Sequence, residues 1–95
     1  MNELTGVQRD LLYIIAGCDE TYEFRIKDKL ERYYQTEVTH DRLYPNLDAL
    51  VDDELLDRKE HNDQPDEYVM TAQGQKEVET RREWENNYLE SNFSV

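Results

Sequence analysis

Thr39-His-Asp-Arg-Leu-Tyr-Pro-Asn-Leu-Asp-Ala-Leu-Val51 is the stretch that decides how the rest of this chain is read. Its apolar residues Leu43, Leu47, Leu50 and Val51 fall at i, i+4, i+7 and i+8, one stripe of an amphipathic helix. On the other face His40, Arg42, Tyr44 and Asn46 all carry hydrogen-bond donors and crowd toward the N-terminal end. A helix that anchors by one face and offers polar groups and an aromatic in its first turns suits the DNA major groove. An ordinary surface helix has the same pattern, so this stretch alone does not choose.

The whole chain narrows the choice. Ninety-five residues make one domain with a thin core, near the lower end of what folds without staples, and a partner subunit is expected to complete the apolar surface. The single cysteine, Cys18, excludes an internal disulfide framework and fits a reducing cytoplasm. It follows the apolar run Leu11-Leu-Tyr-Ile-Ile15 and reads as a small buried side chain rather than a redox sensor. No stretch resembles a signal peptide, and no apolar run approaches the roughly 20 residues that span a bilayer. A soluble, cytoplasmic protein with no membrane partner is expected.

Charge is the strongest compositional feature. There are 23 Asp plus Glu against 11 Lys plus Arg, a net charge of −12, and the lysines are only Lys27, Lys29, Lys59 and Lys76. The acids are spread along the chain and form an acidic surface, not a disordered tail. Seven tyrosines and regular apolar spacing argue against disorder. Such a composition resembles that of cytoplasmic proteins of extremely halophilic archaea, where molar salt screens self-repulsion with a Debye length of about 3 Å at 1 M. A mesophilic acidic protein, even one that repels DNA, has the same composition.

Taken in order, Thr5-Gly-Val-Gln8 is a capping box, and Val7, Leu11, Ile14 and Ile15 mark the inner face of a first helix. Gly17 suits a left-handed position at its end. Asp19 or Thr21 is placed to cap a second helix, in which Tyr22, Ile26, Leu30, Tyr33 and Tyr34 recur at helical spacing. Its other face holds Arg25, Lys29 and Arg32, read as a solvated face paired with Glu23, Asp28 and Glu31 or, second, as an approach to phosphates. Thr39 or Asp41 caps the third helix, where Pro45 fits best in the first turn. That proline predicts a late start near Asp41 or an irregular one. The helix should end at Asp52-Asp53-Glu54. Leu55–Glu60 and Glu67–Met70 read as strands around a longer loop of turn formers, His61-Asn-Asp-Gln-Pro-Asp66. Thr71 caps a fourth helix whose large apolar residues are Val78, Trp84, Tyr88 and Leu89, and Ser91–Val95 reads as a frayed tail. Trp84 and Tyr88, at i and i+4, have little core left to meet, so a partner subunit is their natural destination. The fold class is mainly α with a small β-hairpin, the winged helix-turn-helix order of three helices, a two-stranded wing and a C-terminal helix.

Four blocks now resemble the PadR family of winged-helix transcriptional regulators. They are Leu11–Ile15, Tyr22-Glu-Phe-Arg-Ile-Lys-Asp-Lys-Leu30, Val38–Leu50 with its Leu43-Tyr-Pro-Asn-Leu-Asp-Ala-Leu50 core, and Tyr68-Val-Met-Thr-Ala-Gln-Gly74. Each is weak singly; their order makes the match specific. The resemblance implies residues 1–71 as a DNA-binding domain and residues 72–95 as a dimerisation helix with a short tail. It also implies a homodimer bound to double-stranded DNA, usually as a repressor on a pseudo-palindromic operator. By position, Thr39, His40, Arg42, Tyr44 and Asn46 would face DNA, and Arg58, Lys59, His61, Asn62 and Gln64 would form the wing contacts. Val78, Trp84, Tyr88 and Leu89 would hold the dimer, and an unknown small-molecule effector could bind near them. Two departures stand out. Glu54 occupies the place of a family glycine, demanding a costlier turn. Between residues 57 and 68, Arg58 and Lys59 face Asp57, Glu60, Asp63, Asp66 and Glu67.

No catalytic constellation accompanies these features. His40, His61 and Cys18 lie in different elements without metal-ligand spacing, and the three glycines are isolated, so neither metal nor cofactor is implied and an enzyme is not expected. Two functions remain. One is a dimeric DNA-binding regulator adapted to high salt, with Arg42 and Asn46 reading bases and Tyr44 meeting a phosphate or a thymine methyl. The other is an acidic winged-helix module that binds protein, or mimics DNA, without binding DNA itself.

Overall fold

Leu11, Leu12 and Ile15, spaced for one helical face, start a core that also contains Ile26, Leu30, Val38, Leu43, Leu47, Leu50, Leu55, Leu56 and Tyr68. The computed structural model describes residues 4–93. It comprises α1 (Gly6–Ala16), α2 (Glu23–Tyr34), α3 (His40–Asp52), β1 (Leu56–His61), β2 (Gln64–Met70) and α4 (Ala72–Phe93). The order helix, helix, helix, hairpin, helix is as the sequence predicts. No described helix is long and apolar enough to cross a membrane.

α1 begins with the predicted capping box: Gln8 N donates to Thr5 Oγ1 at 3.2 Å and Thr5 N donates to Gln8 Oε1 at 3.2 Å. Gly17 ends the helix at φ −97, not in the left-handed region expected for it. Cys18 is half-buried rather than buried, and its thiol donates to the Glu20 carbonyl at 2.9 Å. Neither Asp19 nor Thr21 caps α2; Tyr22 is the N-cap, without a side-chain bond. The reason is non-local. Tyr68 N donates to Thr21 O at 2.9 Å and Tyr22 bridges to Glu67, so the segment before α2 is drawn into the edge of β2. Tyr34 packs on the core as expected, but Tyr33 is 69 % exposed. The charged face pairs as Arg25–Glu20, Lys27–Glu31 and Arg32–Asp28.

α3 starts at His40 with Thr39 as its N-cap, so Pro45 sits inside the helix and not in its first turn. The missing N–H leaves the Asp41 carbonyl without its usual partner, a cost moderated because Asp41 and Pro45 are both exposed to water. At the far end Leu55 N donates to Leu50 O and Glu54 N to Val51 O, the paired bonds of a Schellman ending. Glu54 takes the left-handed position at φ 65, as its place in the sequence requires.

The wing is longer and its turn tighter than the sequence suggests. Leu56 pairs with Met70, Asp57 with Val69, Arg58 with Tyr68, Lys59 with Glu67 and His61 with Gln64, which leaves only Asn62 and Asp63 in the turn. Between the last two pairs Glu60 faces both Pro65 and Asp66, and a bulge is where a residue without an N–H is tolerated inside a ladder. Thr71 then joins wing and α4. Its hydroxyl donates to Glu54 O at 2.7 Å and accepts from Gly74 N at 2.9 Å, while Thr71 N donates to Leu55 O at 3.2 Å. Gly74 has to be small here, since a β-carbon would collide with the Leu55 carbonyl and the Met70 sulfur. α4 remains helical through Phe93, where a tail was expected; Ser94 and Val95 lie outside the described residues. At 22 residues it is about 33 Å long, in a molecule 53 Å along its longest dimension.

Candidate nucleic-acid interface

Burial of Leu43, Leu47 and Leu50 turns the opposite side of α3 outward. Thr39, His40 and Arg42 are exposed, while Tyr44 and Asn46 are half-buried. The Thr39 side chain makes no capping bond. One helical turn apart, the His40 and Tyr44 rings stack with centroids 5.3 Å apart and planes 19° from parallel. The Tyr44 hydroxyl reaches Glu23 at the start of α2. Its bond to that carboxylate, and then burial, push the phenol up to about 12.

Arg42 and Asn46 are supported from outside the helix. The Arg42 guanidinium lies 5.5 Å above the Tyr34 ring, and the Tyr34 hydroxyl donates to Asp10 Oδ2 at 2.6 Å. Burial, followed by the Asp10 bond, pushes Tyr34 up to about 12, with Arg42 opposing. Among the described residues no carboxylate forms an ion pair with Arg42, so its donors remain available for recognition. A cation–π contact at an exposed site contributes only about 0.5–1 kcal/mol, enough to bias the side chain without locking it. Asn46 Nδ2 donates to the Arg42 carbonyl at 2.7 Å, and Asn46 Oδ1 accepts from Gln8 Nε2 on α1 at 3.3 Å.

The wing offers less cation than its sequence suggests. Arg58 approaches Asp48 of α3 at 3.7 Å and Glu60 at 3.5 Å. It also lies beside the buried Tyr68 hydroxyl, whose burial raises it above the usual tyrosine range while the neighbouring Arg58 opposes the rise. Lys59 is exposed and makes no ion pair among the described residues. His61 sits 3.3 Å from Glu67 and tilts against the Tyr22 ring, which stacks on Phe24. Asn62 and Gln64 are exposed at the tip. At about 3.6 residues per turn the α3 residues divide between two flanks. His40 and Tyr44 lie on the side where Tyr44 meets Glu23, Arg42 and Asn46 on the side where Asn46 meets Gln8, while Arg58 is held by Asp48 and Glu60.

Gln8, Asp10, Tyr34, Glu23 and Asp48 are supports that no local pattern in the sequence reveals. Gln8 was legible only as a capping residue; its bond to Asn46, 38 positions away, leaves no local trace. The proposed dimer residues divide. Trp84, Tyr88 and Leu89 are 53 %, 56 % and 46 % exposed, with the Trp84 and Tyr88 rings stacked at 5.3 Å. Val78 instead packs against the core of its own chain, and its carbonyl accepts from the Tyr13 hydroxyl at 3.5 Å.

Residues 11–80 match the transcriptional regulator PadR-like family. The chain belongs to that family. This PadR-like chain is similar to RosR of H. salinarum: the complex structure of hsRosR-S1 superposes with a TM-score of 0.86 at 37% identity, covering 92% of this chain and 77% of that one. RosR grown from NaBr gives a TM-score of 0.85 at 35% identity over 99% of this chain and 82% of that one. F93 from STIV, a winged-helix DNA-binding protein, shares the fold at a TM-score of 0.71 and 21% identity, covering 87% and 90% of the two chains. No curated protein matches. The four helices and antiparallel hairpin are thus a PadR-like winged helix, and the chain is a DNA-binding transcriptional regulator.

Proposed function

We propose that the protein is a homodimeric repressor that reads a pseudo-palindromic operator with α3 in the major groove, in a cytoplasm of molar salt. The observation that carries this reading is the exposed polar side of α3, where Arg42 is unpaired by any described carboxylate and stands one turn from Asn46. Arg42 offers bidentate donors to a guanine edge, Asn46 a donor and an acceptor to adenine. Thr39 precedes them, His40 and Tyr44 stand on the other flank of α3, and Lys59, His61, Asn62 and Gln64 form the wing contacts, with Arg58 a weaker contributor because Asp48 and Glu60 hold it. Residues 1–71 act as the reading unit and residues 72–95 as the dimerisation arm, through Trp84, Tyr88 and Leu89 with Val78 at the margin. Repression follows the usual behaviour of the family.

A net charge of −12 works against phosphate binding in dilute salt. In molar salt the repulsion is screened and cations bridge acids to phosphates, so counterion release adds little and base-edge contacts carry more of the affinity. The composition supports this setting, as does the similarity to a protein of H. salinarum. The test is operator selection from random duplexes in molar KCl, run beside an Arg42→Ala/Asn46→Ala double variant. Wild type should enrich a two-fold-related sequence that the variant does not; equal enrichment by both removes the base-readout assignment.

The acid-paired Arg58 favours one second reading, an interaction module that binds protein or mimics DNA. Capture of a protein partner together with no operator binding at any salt would select it. A small effector also has a place: an open groove of about 370 Å³ lined by Arg9, Asp10, Tyr13, Ile14, Tyr33 and Glu85 runs beside α4. Quenching of Trp84 fluorescence by a candidate ligand tests it.

A further inference from the structure

We propose that Gln8, on α1, is a positioning residue that fixes the amide of Asn46 in the orientation it presents to a base. A residue outside the reading helix thereby helps set sequence preference. The inference rests on α3 reading DNA and deepens it.

Each step of the arrangement forces the next. A backbone carbonyl only accepts, so the 2.7 Å contact with Arg42 O must come from Asn46 Nδ2. That turns Asn46 Oδ1 toward α1, where it accepts from Gln8 Nε2 at 3.3 Å. Gln8 in turn has no choice of face. Thr5 N donates to its Oε1 at 3.2 Å, which leaves Nε2 to point at α3. The capping box that starts α1 is thus also the anchor of a relay from Thr5 N through two side-chain amides to the Arg42 carbonyl.

An amide carries two N–H groups and two acceptor lone pairs. Asn46 spends one of each on this relay and keeps one of each, the complement needed for bidentate recognition of adenine N6 and N7. Held at both ends, the amide plane is oriented before DNA arrives, so less rotamer freedom is lost on binding. The neighbouring reader is supported from the same helix by a separate route, since Asp10 accepts from Tyr34 and Tyr34 lies under Arg42. α1 therefore braces both readers, and only the Gln8 arm sets a donor–acceptor orientation.

The decisive variant is Gln8→Glu. Glutamate is the other residue of a capping box and still accepts from Thr5 N, but it has no proton for Asn46 Oδ1. Its added charge weakens all duplexes alike and cancels in a ratio. The readout is the affinity ratio between the selected operator and versions substituted at single base pairs, in molar KCl. With thermal stability near wild type, Gln8→Glu should lose about five- to tenfold of discrimination at the base pair where Asn46→Ala loses it, and keep discrimination elsewhere. In an Asn46→Ala background Gln8→Glu should change nothing further. Gln8→Met, which removes both amide bonds, should show the same positional loss if Gln8→Glu proves unstable. If Asn46→Ala loses discrimination and the Gln8 variants do not, positioning is wrong while base reading stands. If Asn46→Ala loses none, reading by Asn46 and the positioning built on it fail together.

Discussion

At Glu54 the backbone turns left-handed, φ 65, so that Leu55 can fold back onto Leu50. A side chain there costs about 1–2 kcal/mol that glycine avoids, partly offset by the greater freedom glycine has when unfolded. Glu54→Gly should raise stability by about 0.5–1 kcal/mol in chemical denaturation, and a loss would show that the side chain contributes elsewhere. Thr71→Ala should cost about 1–2 kcal/mol, because it removes the cap on Gly74 N and the bond to Glu54 O together. Tyr34 and Tyr44, each pushed up to about 12, give a pH prediction. Their folded pKa lies above the unfolded value near 10, so the folded state holds its protons longer. Their stabilising contribution is intact below pH of about 10 and is lost as pH climbs toward about 12. A phenolate absorbance titration should place Tyr34 and Tyr44 among the late-titrating tyrosines, with Tyr34→Phe removing one late step. Glu54 was legible because a glycine-like position depends on local backbone alone. Asn46's partner was not, because Gln8 reaches it only after α1 and α3 have packed.

The elements were readable where one period decided them. The stripe Leu43, Leu47, Leu50 placed the inner face of α3 correctly, and all three residues are buried. Boundaries set by distant contacts were not readable: α2 is capped by Tyr22 because Thr21 and Tyr22 join the wing, and Pro65 lies in a strand because a bulge absorbs it. Pro45 misled for a related reason, since Thr39 starts α3 a turn before the position a proline prefers. α4 shows the limit most clearly. Its outer half leaves Trp84, Tyr88 and Leu89 about half exposed. If that half pairs two chains, Trp84→Ser/Tyr88→Ser should sediment as a monomer with its helix content retained while wild type sediments as a dimer. A variant that remains dimeric would remove those residues from the interface.

For the whole molecule, charge and fold make opposite demands. A winged helix presents α3 to a polyanion, yet this one carries 23 acidic residues against 11 basic. Its ion pairs are largely exposed, as with Arg25–Glu20 and Arg32–Asp28, and such pairs contribute little. Screening therefore removes more net repulsion than attraction, and the thermal midpoint should rise with KCl; a fall would show that the pairs outweigh the repulsion. Composition made the acid excess legible at once, but not that Asp48 and Glu60 hold the wing's arginine. The most direct test of the account is the affinity of the dimer for its selected operator, followed by fluorescence anisotropy as KCl rises from about 0.1 M to about 1 M and beyond. The account predicts affinity that holds or strengthens across that range and depends on Arg42. A steep fall in affinity with salt, of the kind counterion release produces, would contradict it.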